Sequence, residues 1–146
     1  MPKVITTAER YHDFSMGHRV YGHESKCAHL HGHNYRFTFT VAPNSGLDDV
    51  GRVLDFSVIK SHLCEWLEEN WDHKFLVSDK DPIGKVLKAE DPEGVVIVPF
   101  NPTAENMAEY FLIEIAPHQL LGTACKLVNL VVEETRKCSA TVSLGE

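Results

Sequence analysis

Hydrophobic and polar positions along the chain follow two periods, and these predict its elements. Residues 34–41 are the clearest strand: Tyr35, Phe37, Phe39 and Val41 alternate with Arg36, Thr38 and Thr40, as in a strand with one buried face. Residues 3–18 are rich in Val, Ile, Thr, Tyr and Phe and read as a second long strand. Arg10 and His12 interrupt its apolar parity of Val4, Ala8, Phe14 and Met16, so a bulge or a partly polar cavity is expected there. A helical period then takes over. Val58, Ile59, Leu63, Trp66 and Leu67 recur on one face, with Asp55 or Ser57 placed to cap the start. Met107, Ala108, Phe111, Leu112 and Ile115 form a second apolar stripe that begins at Thr103 and is expected to end at Pro117. Between these helices, residues 79–94 read as loop around a short helical piece near 83–89, followed by a short strand over 95–100. Residues 126–135 and 139–144, joined by Arg136-Lys137-Cys138, suggest a hairpin. Val128, Leu130 and Val132 share one face of its first strand and Leu127 and Val131 the other, so both faces look buried. Two one-faced helices can cover only one side of a sheet, and the second side is expected to meet another subunit. Strands, then helices, then strands predict an α+β fold with an antiparallel sheet.

Length and charge narrow the possible functions. The 146 residues suit a single domain over 1–146 that folds without disulfides. Four scattered cysteines with no Cys-x-x-Cys pair fit reduced thiols better than a disulfide framework or a zinc ribbon. No apolar run approaches a membrane span and the amino terminus lacks a secretory leader, so a cytoplasmic protein with no membrane partner is expected. A net charge of -7 argues against binding nucleic acid through its phosphates.

Chemistry concentrates at Cys27-Ala28-His29-Leu30-His31-Gly32-His33-Asn34-Tyr35. In an extended backbone His31 and His33 share a face and can converge on a metal, while Gly32 removes a side chain from the opposite face. His18, at the end of the first long strand, is the candidate third ligand, because antiparallel pairing brings that end near the start of the next strand. Three neutral imidazoles suit Zn²⁺ and leave one coordination position open, the pattern of a catalytic site. His-x-His with Phe37 and Thr38 beyond it lacks the Glu that a cupin would place there. A barrel hydrolase would need about 250 residues. Asp72-His73, after the first helix, reads either as a carboxylate fixing an imidazole's tautomer or as solvated residues at a helix exit. Cys27 reads as a thiolate favoured by a nearby cation or as an inert buried thiol. Glu133 and Glu134 close an apolar strand, where a carboxylate can accept from a ligand's N–H groups or simply mark emergence into water. Lys26, Lys60 and Lys74 are all available for phosphates.

In order, Phe14-Ser15-Met16-Gly17-His18, Cys27 through Tyr35, Val53-Leu54-Asp55-Phe56, Trp71-Asp72-His73, Pro102-Thr103-Ala104-Glu105-Asn106 and Val132-Glu133-Glu134-Thr135 resemble the 6-pyruvoyl-tetrahydropterin synthase family over nearly the full chain. The three-residue gap between Cys27 and His31 resembles its bacterial carboxy-forming branch, which serves queuosine and related 7-deazaguanine synthesis. Met16-Gly17 and Trp71 depart from the residues more usual at those places. The resemblance implies a tunnelling-type (T-fold) architecture: a four-stranded antiparallel sheet with two helices on one face, assembled into a hexameric barrel with pockets at subunit interfaces. It implies one Zn²⁺ per subunit on His18, His31 and His33, a catalytic Cys27, an Asp72–His73 proton relay, a pterin anchor at Glu134, and Thr103 and Glu105 close to the substrate. The implied reaction converts 7,8-dihydroneopterin triphosphate to 6-carboxy-5,6,7,8-tetrahydropterin, acetaldehyde and triphosphate. A pyruvoyl-forming enzyme of biopterin synthesis and a noncatalytic zinc- or pterin-binding module are the alternatives.

Overall fold

The computed structural model describes residues 2–145 and builds them around one six-stranded sheet. Its strands are β1 (Ala8–His18), β2 (His31–Pro43), β3 (Phe75–Ser78), β4 (Val95–Val98), β5 (Cys125–Glu133) and β6 (Ser139–Ser143), in the order β4-β3-β1-β2-β5-β6. The four expected antiparallel strands are β1, β2, β5 and β6, with the last two forming the predicted hairpin. Two short strands extend them, so the sheet is mixed rather than four-stranded and antiparallel: β3 lies parallel to β1, and β4 parallel to β3. Parallel neighbours need a crossover connection, and the short helix α2 (Ile83–Glu90) supplies it between β3 and β4. Four-residue strands are too short to display a period, so β3 left no pattern in the sequence.

Helix α1 runs from the Phe56–Ile59 turn through a widened, π-type turn at Lys60–Cys64 to Glu65–Asn70. Its cap is Asp55, which accepts from the Ser57 amide at 2.9 Å. Helix α3 likewise joins Ala104–Tyr110, a π-type turn at Phe111–Ile115, and Ala116–Gln119. Thr103 caps it by accepting from the Asn106 amide at 3.1 Å. Pro117 does not end this helix: it falls in the first turn of the last segment, just past the widened turn, where a missing N–H is tolerated.

Both helices cover the same face of the sheet. Tyr35, Phe37 and Phe39 of β2 are fully buried there, and Phe111 of α3 packs on Phe37 and Phe39 with ring centres 5.7 and 5.3 Å apart. Trp66 and Trp71 close the cluster, which gives the unusual Trp71 a packing role. Burying each such ring stabilises the fold by about 1.5–3 kcal/mol. One pairing expectation is corrected at β5. The ladder shifts between Thr40 and Val41, whose partners are Asn129 and Leu127, leaving Val128 as a bulge. Leu127 therefore joins Leu130 and Val132 on the buried side, while Val128 and Val131 are half-buried. Across β1 and β2 the other face of the sheet carries polar groups, among them Asp13 and an Arg36 stacked 3.9 Å over the Tyr11 ring, and α2 packs on that face at β3, where Gly84 lies against Val77.

Candidate metal centre

Strand register builds the site. β1 and β2 pair with His18 opposite His31, Gly17 opposite Gly32, Met16 opposite His33 and Ser15 opposite Asn34. Because side chains alternate, His18, His31 and His33 all project to the helix-covered face at the end of the sheet. His18 is fully buried, and the rings of the other two stand 4.6 and 5.2 Å from it, centre to centre. Glu134, just beyond β5, reaches the same point: Oε1 lies 2.8 Å from His33 Nε2 and 3.2 Å from His18 Nε2. One donor atom from each of the four residues falls within 4.8 Å of every other.

Backbone carbonyls orient two of the rings. His18 Nδ1 is 2.6 Å from the Pro102 carbonyl and His31 Nδ1 is 2.7 Å from the His29 carbonyl. A carbonyl only accepts, so each Nδ1 carries the proton and each Nε2 presents a lone pair inward. Those two Nε2 atoms are 3.1 Å apart. Two lone pairs and a carboxylate oxygen can share this space only with a positive centre among them, either a proton or a metal. His33 Nε2 is buried without an aligned hydrogen bond, since the nearby Glu134 oxygen lies off its donor direction. For nitrogen ligands at about 2.0–2.1 Å, a tetrahedral ion sets ligand separations near 3.3 Å, close to those observed. The donor set thus fits a divalent metal of the zinc type.

Electrostatics agree with a site awaiting positive charge. Burial keeps the His33 imidazole below its ordinary pKa, aided by the neighbouring His18 and His31 and opposed by Glu134. The contact with His18, followed by the charges of all three histidines, holds the Glu134 carboxyl below the usual carboxylate range. Tyr35 stands edge-on to His18 and His33, and its phenol is pushed well up, first by burial and then by the charges of Glu134 and Cys27. The last influence puts the Cys27 thiol within electrostatic reach of the centre. Cys27 itself is half-buried in a single 3₁₀ turn, Lys26–Ala28.

Asp72 and His73 stand elsewhere. His73 takes a positive φ of 59° directly after α1, donates its amide to the Ser15 carbonyl, and is 81% exposed. Asp72 accepts from the Ser15 amide at 3.1 Å and contacts His73 Nδ1 at 3.0 Å. Although burial opposes it, the His73 and Ser15 hydrogen bonds keep the Asp72 carboxyl low. His73 faces a cavity of about 500 Å³ lined also by Ser15, Gly17, Gly32, Asn34 and Lys74. Ser15, Gly17, Gly32 and Asn34 have the parity opposite to the histidine ligands, so this cavity opens on the face away from α1 and α3. A side chain at Gly17 would meet the Phe75 ring at 2.6 Å, and one at Gly32 the Met16 carbonyl at 3.2 Å. The Gly17–Gly32 pair therefore creates the opening, and within one chain His73 reaches it from the edge of β1, where the Asp72 carboxylate and the His73 amide bond Ser15.

Of the remaining expectations, Thr103 serves as the α3 cap and Glu105 is exposed in the first turn of that helix. Among the candidate lysines, Lys74 donates to the Glu93 carbonyl at 2.8 Å, and Lys26 and Lys60 are exposed. Sequence reasoning missed the Pro102 and His29 carbonyls, since any residue supplies a carbonyl. It gave no role to His29, which acts here through its backbone.

Comparison with known proteins adds to this geometry. A model of the family described as 6-pyruvoyl tetrahydropterin synthase matches residues 7–144. A protein of Rickettsia typhi named 6-carboxy-5,6,7,8-tetrahydropterin synthase is 36% identical over 131 residues, covering 89% of this chain and 94% of its own. Among solved structures, an uncharacterized protein of Wolinella succinogenes superposes with a TM-score of 0.83 at 24% identity, covering 97% of this chain and 99% of its own. The 6-pyruvoyl tetrahydropterin synthase of Caenorhabditis elegans gives 0.68 at 23% identity, covering 97% of each chain. At these identities the two structures bear on the fold alone.

Proposed function

The chain belongs to the 6-pyruvoyl tetrahydropterin synthase family, and from that premise we propose that it is a zinc-dependent lyase of 7-deazaguanine (queuosine) synthesis. Its substrate is 7,8-dihydroneopterin triphosphate, and with one water it yields 6-carboxy-5,6,7,8-tetrahydropterin, acetaldehyde and triphosphate. The observation that carries the reading is the convergence of His18, His31 and His33 beside a loop bearing Cys27, in a chain whose relatives include one named for the carboxy-forming reaction. The three-residue gap between Cys27 and His31 favours this product over the pyruvoyl one.

His18, His31 and His33 would hold the zinc, which supplies Lewis acidity toward the substrate's side-chain hydroxyls and so acidifies the C–H bonds beside them. Cys27 is the base that removes a side-chain proton, and His73, oriented by Asp72, is its acid–base partner. Loss of triphosphate and cleavage of the bond between the first two side-chain carbons leave the first as the carboxylate and release the other two as acetaldehyde. Glu134 anchors the pterin through its amino and ring N–H groups, and Thr103 and Glu105 lie at the margin of the pocket. Glu134 Oε1 lies against His18 and His33 in the structure, so this role requires the carboxylate to turn toward the pterin.

The Asp72–His73 pair opens on the face away from the metal, which supports a site completed by a second copy of the chain in a homohexamer. Incubation with the triphosphate, with mass spectrometry of the pterin and trapping of acetaldehyde, tests the reading. Carboxytetrahydropterin and acetaldehyde in equal amounts are expected. A 6-pyruvoyl product without acetaldehyde would place the chain with the biopterin enzymes, and bound pterin without turnover would make it a binding module.

A further inference from the structure

Twelve residues, 19–30, form the loop that connects β1 to β2 and carries Cys27. Its base is closed by the Val20 amide donating to the Cys27 carbonyl at 3.0 Å. Arg19 at one end is 3.0 Å from the buried Asp81 carboxylate. Val20 is buried, the His29 carbonyl lies 2.7 Å from the His31 ring, and a further anchor is Asn101. Its Oδ1 accepts from the Tyr21 amide at 2.9 Å, and its Nδ2 donates to the Tyr21 carbonyl at 2.9 Å. A single amide side chain thus satisfies both backbone groups of one loop residue, as a neighbouring strand would, and leaves that residue no freedom to slide.

Asn101 is itself held. Its carbonyl accepts from Asn106 Nδ2 at 2.9 Å and from the Thr103 amide at 2.8 Å, both at the capped start of α3. The next residue, Pro102, supplies the carbonyl that fixes the His18 ring. Two consecutive residues on one rigid helix start therefore reach two separate parts of the centre, the metal-binding imidazole and the loop bearing the thiol.

We propose that Asn101 is a positioning residue that sets the Cys27 thiol relative to the metal centre, by locking Tyr21 to the same helix start that orients His18. The inference rests on the activity proposed above. Displacement of a reacting group by about 1 Å can cost roughly 100-fold in rate, so a tether of this kind matters to turnover more than to stability.

The test compares zinc-loaded Asn101→Ala with wild type and with Leu127→Val, a core truncation remote from the site that controls for lost stability. Asn101→Ala is expected to bind as much zinc as wild type and to keep KM within twofold, while kcat falls at least tenfold. Leu127→Val should retain kcat. In a readout independent of turnover, the alkylation rate of Cys27 by iodoacetamide, relative to the exposed Cys138, should rise at least threefold in Asn101→Ala. An unchanged kcat, a matching loss of zinc, or an equal loss of kcat in Leu127→Val would overturn the assignment. If wild type forms no carboxytetrahydropterin, the proposed function fails by itself, and the alkylation ratio still decides the role of Asn101: a threefold rise upholds it and an unchanged ratio refutes it.

Discussion

A site completed by two copies of the chain can be tested by mixing two dead variants. Cys27→Ala removes the proposed base and His73→Ala the proposed partner, and each alone is expected to abolish turnover. The structure sets the expected yield of a mixture. The thiol loop neighbours the metal centre, whereas His73 faces the cavity behind the Gly17–Gly32 pair, so in the proposed assembly the two groups of one productive site would come from different chains. In a randomly assembled equimolar mixture a site needs its thiol from a His73→Ala chain and its imidazole from a Cys27→Ala chain. Each has a chance of about one half, so about one quarter of the sites are intact. Co-expression of the two variants with different affinity tags, double purification and an acetaldehyde assay should then recover roughly a quarter of wild-type turnover, allowing for the tag selection. Doubly tagged oligomers with no activity would refute the reasoning, because they would mean that Cys27 and His73 act within one chain.

Other outcomes follow from the same geometry. Metal analysis should find zinc retained in Cys27→Ala and lost in His31→Ala, because only the second removes a donor from the converging set; metal retention by His31→Ala would break the ligand assignment. Glu134→Gln should keep its zinc and raise KM for the pterin triphosphate at least tenfold; loss of zinc instead would make Glu134 a ligand rather than an anchor. Asp13 is kept below the usual carboxylate range chiefly by its hydrogen bond to Arg36, which shares two contacts with it at 2.7 and 3.0 Å. A lowered pKa contributes stability that is present above the unfolded carboxylate pKa and lost as pH falls through the folded one. The pair is largely exposed, so Asp13→Asn should cost under about 1 kcal/mol at pH 7, and the cost should vanish on acidification in urea titrations. A penalty that grows toward low pH would contradict this.

Legibility in the sequence followed the range of the interaction. The alternation of Tyr35, Phe37, Phe39 and Val41, the caps at Asp55 and Thr103, and the two helical stripes were readable because each depends on neighbours within a turn or two of the chain. The β5 face was misassigned because a bulge at Val128 is set by the partner strand, and Pro117 stopped nothing because a widened turn had already altered the helix before it. β4 was expected as a short strand from its run of Val and Ile, whereas β3, with four residues, was too short for a period to emerge.

The metal centre divides in the same way. His31 and His33 were paired by the two-residue repeat of a strand, a local rule, and His18 followed from expecting its strand to pair antiparallel with theirs. What the chain by itself determined, then, was which imidazoles could meet and that a glycine would leave the opposite face open. Only the tertiary structure placed the Pro102 and His29 carbonyls on the rings, brought Glu134 to their nitrogens, tied the thiol loop to Asn101 and set His73 at the edge of β1. Those contacts join residues as far apart in the chain as His18 and Glu134, and distance along a chain carries no record of distance in space until the hydrophobic core has closed.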